Sequence, residues 1–269
     1  MLRAAFASAS QKHQLGPFLN TNLAIPAMTS SNTTLAAAAE RDNFHFPIPD
    51  CLENDKPSEH ADKVAASSKD KSLWTYFPHG PFKDGADFIE RFWNTVFRGN
   101  PSQFFFVVFD KTKRQESQDG NGNFKLAAIM GYILTSEWDL WTEIGAVIVF
   151  PEFQRTHVAS NAVGLLLHYA LDLPEEGGLG LRRVQWRAME SNAGSIRLAR
   201  RFGFQMEGVT RWARVLQPGE ETVTNGRPER RGDPRPGLGG TDIAVLAMCW
   251  DDWENGGREK VDAEMNRTK

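Results

Sequence analysis

The chain has 269 residues, is 41% hydrophobic and carries a formal net charge of −3 from 31 basic and 34 acidic side chains, enough length and apolar content for a self-supporting core. The two signs are interleaved, which excludes the concentrated positive surface that nucleic-acid backbones require, so no nucleic-acid partner is expected. The longest apolar runs, Phe104 to Phe109 and Ala146 to Phe150, fall far short of the ~18 residues of a membrane-spanning helix, so the chain reads as soluble with no membrane partner.

Residues 1–43 read as a disordered leader or a transit segment. The first 39 carry no Asp or Glu and are rich in Ser, Thr and Ala, the composition of a mitochondrial transit peptide and equally of a disordered tail. A cytoplasmic location is expected, or a mitochondrial one if the segment is a transit peptide, and Met28 is an alternative start. Cys51 and Cys249 lie far apart and outside any metal-ligand spacing. Two free thiols in a reducing compartment and no metal are expected, with a pairing of the two left open.

The folded unit is expected over residues 44–254. Ala86 to Gly99 places Phe88, Ile89, Phe92, Trp93, Val96 and Phe97 at helical spacing behind Asp84 as a cap. Phe104 to Phe109 predicts a buried strand, DKTKRQESQDGNGN a polar hairpin loop, and Leu126 to Trp138 the returning strand. Thr142 to Phe150 predicts a central strand stopped by Pro151. From His157 to Leu173, Val158, Ala162, Leu165, Leu166, Tyr169 and Ala170 recur at three and four, a helix, after which Gly177 to Gly180 ends the crossover. Arg183 to Ala188 predicts a strand, Ala193 to Phe202 a short helix, Phe204 to Leu216 a long strand and Ile243 to Trp250 its return. The intervening 217–240, dense in Gly and Pro, predicts a long flexible surface loop without packed core or regular element, and 255–269 a disordered tail.

A meander followed by alternation of strand and helix implies an α/β (α+β) fold with a mixed sheet covered on both sides. The strand-loop-helix crossover around Pro151 is the informative unit. The backbone N–H groups opening its helix, together with the helix dipole, suit a phosphate.

Four segments carry a family resemblance: LWTYFPHGPF at 73–82, EIGAVIVFPEFQRTHVASNA at 143–162, LRRVQWRAMESNAGSIRLARRFGFQMEGVTR at 181–211 and CWDDW at 249–253. In order and spacing they resemble the GNAT superfamily of acetyl-CoA-dependent N-acetyltransferases, and within it the branch of ribosomal-protein N-terminal acetyltransferases. The resemblance implies a three-layer α/β/α fold around a central mixed, mostly antiparallel, twisted sheet. It implies acetyl-CoA as co-substrate, and as acceptor a primary amine, either a protein N-terminus or a small molecule.

Carried onto this chain, the resemblance places a coenzyme A pyrophosphate cradle at Gln154, Arg155, Thr156, His157, Val158, Ala159 and Ser160, with His157 standing where the family pattern has its first glycine. Val147, Ile148 and Val149 match the strand whose backbone binds the pantetheine arm and stabilises the oxyanion. Glu143 is the candidate base, ahead of Glu137 and Glu190; an α-amine of pKa about 8 asks less of it than a lysine of about 10.4. Ser195, three residues after Asn192, matches the branch's proposed donor to the leaving thiolate, whereas Ala199 stands where many members have tyrosine. Asn192 would lie beside the pantetheine arm or serve as a helix cap. Most of the eight tryptophans are expected in the core, with Trp138 and Trp141 as candidate acceptor contacts. Relatives place a strand before a helix like PSEHADKV, yet Lys56 here meets Pro57 directly, so that strand is expected to be missing. With His157 and Ala199, this also raises a catalytically weak or inactive acyl-CoA-binding module as an alternative.

Overall fold

The computed structural model describes residues 58–77, 79–98, 100, 102–114 and 124–267. The leader, Cys51, the Lys56–Pro57 junction and the tip of the first hairpin lie outside the described residues.

Six strands form one mixed sheet in the order β1-β2-β3-β4-β6-β5: β1 Phe104–Arg114, β2 Phe124–Ser136, β3 Trp141–Val149, β4 Arg183–Met189, β5 Gln205–Val215 and β6 Gly240–Cys249. Every neighbouring pair is antiparallel except β3 and β4. That one parallel pair requires a crossover, supplied by helix α3 (Val158–Leu171), following α1 (Ser58–Ser67) and α2 (Gly85–Phe88, running on as a π-helix over Ile89–Phe97). Helix α4 (Ala193–Phe202) precedes β5, and α5 (Arg258–Met265) closes the described chain.

Adjacent side chains of a strand point to opposite faces, which assigns the layers. Phe105 meets the rings of Phe88, Phe92 and Phe97, putting α2 on one face. Phe106 packs edge-on against Tyr132, whose hydroxyl donates to the Leu166 carbonyl at 2.5 Å, putting α3 on the other. Helix α4 shares the face of α3, since Arg201 donates to Ser160 and pairs with Glu264 of α5. The arrangement is three-layered, as expected.

Asp84 caps α2 by accepting from the Asp87 amide at 2.9 Å. Asn192 caps α4, and Gly203, at φ 104°, ends it in the left-handed region.

Three expectations need correction. The hairpin loop begins later than expected, because β1 continues to Arg114, which pairs with Phe124. Asp110 is 1% exposed within that strand and accepts from the Thr112 amide and hydroxyl, so a polar residue is held inside by local hydrogen bonds. The 217–240 segment holds a 3-10 turn at Glu221–Val223, and Leu216 and Val223 bury against Met189. Glu220 anchors the loop through two contacts to Arg214 and one to the Gln217 amide. The tail forms α5, with Val261 and Met265 buried against the molecule and Asp262 contacting His168. One apolar row at i, i+4 is enough to dock a helix whose average composition is polar. Gly164 leaves room for Met265, since a Cβ there would sit 2.3 Å from its sulfur.

Truncating that contact tests the docking. Met265→Ala should lower unfolding stability by about 2–5 kcal/mol, read from the urea midpoint; an unchanged midpoint would mean that α5 contributes nothing to the fold.

Candidate active site

Strands β3 and β4 pair only at Trp141 with Arg183, Thr142 with Val184, and Glu143 with Gln185. Beyond Glu143 the two strands part. Strand β4 continues against β6 through seven pairs, from Arg183 with Cys249 to Met189 with Ile243, while β3 continues against β2 to Val149. The register between β2 and β3 slips between the Ile129–Ile148 and Gly131–Gly145 pairs, a β-bulge at which Ala146 takes φ 53°. The backbone of Val147, Ile148 and Val149 therefore borders a fork on its β4 side.

Pro151–Phe153 forms a 3-10 turn between β3 and α3. Gln154 and Arg155 are exposed, Arg155 turning the chain at φ 60°, and Gln154 donates its side-chain amide to the Val149 carbonyl at 3.1 Å. Thr156 accepts from the Val158 amide at 3.3 Å. Ala159 and Ser160 fall in the first helical turn, where amides have no partner four residues back. The His157 side chain reaches Asp110 of β1, 3.3 Å from its Oδ1. It is thus held against the sheet at the position where the family pattern has glycine.

At the apex, Glu143 is 4% exposed. Gln185 donates to its Oε2 at 3.0 Å and Arg187 Nε donates to the same oxygen at 2.5 Å. Both donors use Oε2, leaving Oε1 without a protein donor in this cluster. Burial pushes the Glu143 carboxyl above its ordinary value, with the Arg187 charge and the two hydrogen bonds opposing. The ion pair alone would lower it, yet desolvation outweighs a guanidinium that is itself 37% exposed and screened by solvent. Glu137 and Glu190 are exposed.

Gln185 and Arg187 flank Trp186, so Glu143, Gln185 and Arg187 occupy the α2 face while Trp186 occupies the α4 face. The Trp186 indole N–H donates to Ser195 Oγ at 2.9 Å, and the Ser195 amide donates to Asn192 Oδ1 at 3.1 Å. Asn192 therefore acts as the α4 cap, and the Ser195 hydroxyl is fixed as an acceptor with its own proton left to give.

On the α2 face two segments stand at the far end of β4. Tyr76 donates to the Ser191 carbonyl at 3.3 Å, tying the 71–82 stretch to the end of β4. The 217–240 loop packs on Met189, two residues beyond Arg187 on the same face. Burial, then the charges of Arg91 and Arg214, hold the half-buried His79 imidazole below its ordinary value, with Glu220 opposing. Trp141 is half-buried at the start of β3, while Trp138 is 90% exposed at the tip of the preceding turn. Trp74, Trp93, Trp186 and Trp253 are core residues.

The sequence profile of the Acetyltransferase (GNAT) domain matches residues 55–205, more than half of the chain. The chain belongs to the GNAT acetyltransferase family. A GCN5-related N-acetyltransferase structure from Brucella melitensis aligns at TM-score 0.58 and 23% identity, over 78% of this chain and 79% of that one. A probable GNAT-family acetyltransferase from Chromobacterium violaceum aligns at TM-score 0.55 and 29% identity, over 74% and 82%. No curated protein sequence matches. The protein is accordingly an acyltransferase of a family that uses acetyl-CoA.

Sequence reading missed Gln185 and Arg187. Their signal lay in RVQWRA at 183–188, where polar residues alternate with the buried Val184, Trp186 and Ala188 in a strand flanked on both edges. The Ala146 bulge left no signal in residue type.

Glu143 has a measurable linkage. A carboxyl whose value is raised on folding contributes stability that is full below its unfolded value and lost as pH rises through the folded one. The stability of wild type minus that of Glu143→Gln should be largest near about pH 4 and decline toward neutrality. A difference that stays flat with pH, in matched urea titrations, would refute the raised value.

Proposed function

We propose that the protein transfers an acetyl group from acetyl-CoA to a primary amine, a protein N-terminus or a small molecule, at the fork between β3 and β4. The observation that carries the reading is Glu143 at the apex, buried, raised in pKa and with Oε1 open, where two strands part beside a helix N-terminus.

The residues present suit coenzyme A. The amides of Ala159 and Ser160 and the exposed Arg155 offer donors and positive charge to a diphosphate, within a cradle running from Gln154 through Thr156, His157 and Val158. His157 does not obstruct this role, because its imidazole is engaged with Asp110. A pantetheine arm carries amide groups that the β4-facing edge of Val147 to Val149 can meet as a strand would, with Gln154 already holding the Val149 carbonyl. The bulge at Ala146 offers a backbone amide to the charge that develops on the thioester oxygen.

Glu143 Oε1 takes a proton from the acceptor ammonium, directly or through water, and the neutral nitrogen attacks the thioester carbonyl. The nitrogen–carbon bond forms and the carbon–sulfur bond breaks. Glu143 passes that proton to solvent, while Ser195, oriented by Trp186, gives its proton to the departing sulfur and is reprotonated by the second proton that the attacking nitrogen sheds. The net products are an amide, a free thiol and one proton.

Acetyl-CoA should raise the melting temperature, and free thiol should appear with an amine panel of N-terminal peptides and small amines. Glu143→Gln should lower kcat by about 10²–10⁴-fold and abolish an acid limb lying above the usual carboxylate range. Ser195→Ala should fall at the lower end of the same ~10²–10⁴ interval. Thermal stabilisation with no thiol release from any amine would reject the enzyme reading. Unchanged rates in both variants would reject only these assignments.

A further inference from the structure

We propose that Arg187 makes the acceptor site selective for amines bearing a carboxylate within a few bonds of the reacting nitrogen: a free α-amino acid, or a peptide whose first residue is acidic. This rests on the acetyltransferase reading above and narrows its acceptor.

Arg187 projects from β4 on the face of Glu143 and spends only its Nε on Oε2 of that carboxylate. No other contact engages its guanidinium among the described residues, so the two terminal nitrogens, each with two N–H donors, remain beside the apex. The Arg187 side chain is 37% exposed, whereas that of Glu143 is 5% exposed. The negative partner is therefore inside and the positive partner opens outward. A fork of planar donors with two N–H groups in reach fits a carboxylate bidentately, which a lysine would not.

The pair forms a fixed dipole. Oε1 of Glu143 faces the reacting nitrogen, and the outer edge of Arg187 lies next to it. A molecule carrying an ammonium and a carboxylate a few bonds apart presents the reverse dipole and satisfies both. An acceptor with several ammonium groups and no anion instead meets the guanidinium with a like charge.

Matched acceptor pairs test this: phenylalanine against phenylalaninamide, and peptides opening with Asp against the same peptides opening with Asn, with spermidine and an alkylamine as carboxylate-free controls. The amide's amine is less basic and so more often neutral, which by chemistry alone favours phenylalaninamide. The wild type should nevertheless prefer the carboxylate member by roughly 10–100-fold in kcat/KM, the equivalent of one charge-assisted hydrogen-bond pair. Preference within the amino-acid pair or the peptide pair tells the two sources apart. Arg187→Gln keeps an amide near Glu143 and removes the charge, so the preference should collapse while the acid limb of Glu143 moves to higher pH. Equal or better turnover of the carboxylate-free acceptors by wild type would overturn the inference with the acetyltransferase reading intact. Arg187→Gln lowering both members of a pair equally would overturn it too, making Arg187 a positioning residue for Glu143. Thiol release from none of the panel would defeat the parent reading, and this one with it.

Discussion

The structure depends on a contest for the backbone of β3 and β4. Each strand has two edges, and each commits nearly its whole length to an outer neighbour: β3 to β2, β4 to β6. Their common edge holds for three pairs and then fails. The bulge at Ala146 explains where it fails, because one extra residue on β3 bends and twists that strand without interrupting its pairing to β2. The facing glycines at 131 and 145 make the irregularity tolerable. A Cβ on Gly131 would lie 2.1 Å from the Phe104 carbonyl oxygen, and one on Gly145 would lie 2.4 Å from Ile133.

An unpaired ladder edge in the middle of a sheet is costly unless something satisfies it. In the acetyltransferase reading proposed above, a ligand with its own amides would restore the missing partners and make this edge a recognition element. The same divergence places the first turn of α3 at the mouth of the fork, because the helix must begin where β3 ends. It also leaves Glu143 in the last position where the strands still touch, far enough inside to be desolvated and close enough to the opening to keep one oxygen free.

Most of the architecture was legible. The period of the apolar residues located every strand of the sheet and the three long helices after residue 84, and α4 was read with both ends correct because Asn192 and Gly203 are strong local signals. What was illegible is what depends on tertiary satisfaction. The tail and the 217–240 loop look polar in composition, yet each is secured by a few residues, Val261 and Met265 in one and Glu220 and Val223 in the other. Composition averages over such anchors and hides them. At the site, Glu143, Asn192 and Ser195 could be singled out by resemblance, whereas Arg187 and the indole behind Ser195 required knowing which face of β4 each residue takes. His157 read as a damaged glycine position, and its side chain instead has a partner on β1 that no local pattern could reveal.

The pairing of Glu143 with Arg187 looks self-defeating for a base, since a guanidinium at 2.5 Å stabilises the carboxylate and weakens its hold on a proton. Without Arg187, however, a carboxylate this deeply buried would be held neutral and would need deprotonating before it could act. With Arg187 alone, and no burial, it would be an ordinary acid, too weak a base for an ammonium. The observed balance leaves the carboxyl raised but opposed, between these two failures. Placing both protein hydrogen bonds on Oε2 separates the functions within one side chain: one oxygen is held by β4, and the other is left to exchange a proton. The base proposed at Glu143 would depend on the partner strand that also forms the far wall of the fork, so that the geometry opening the sheet and the chemistry proposed there could not be altered independently.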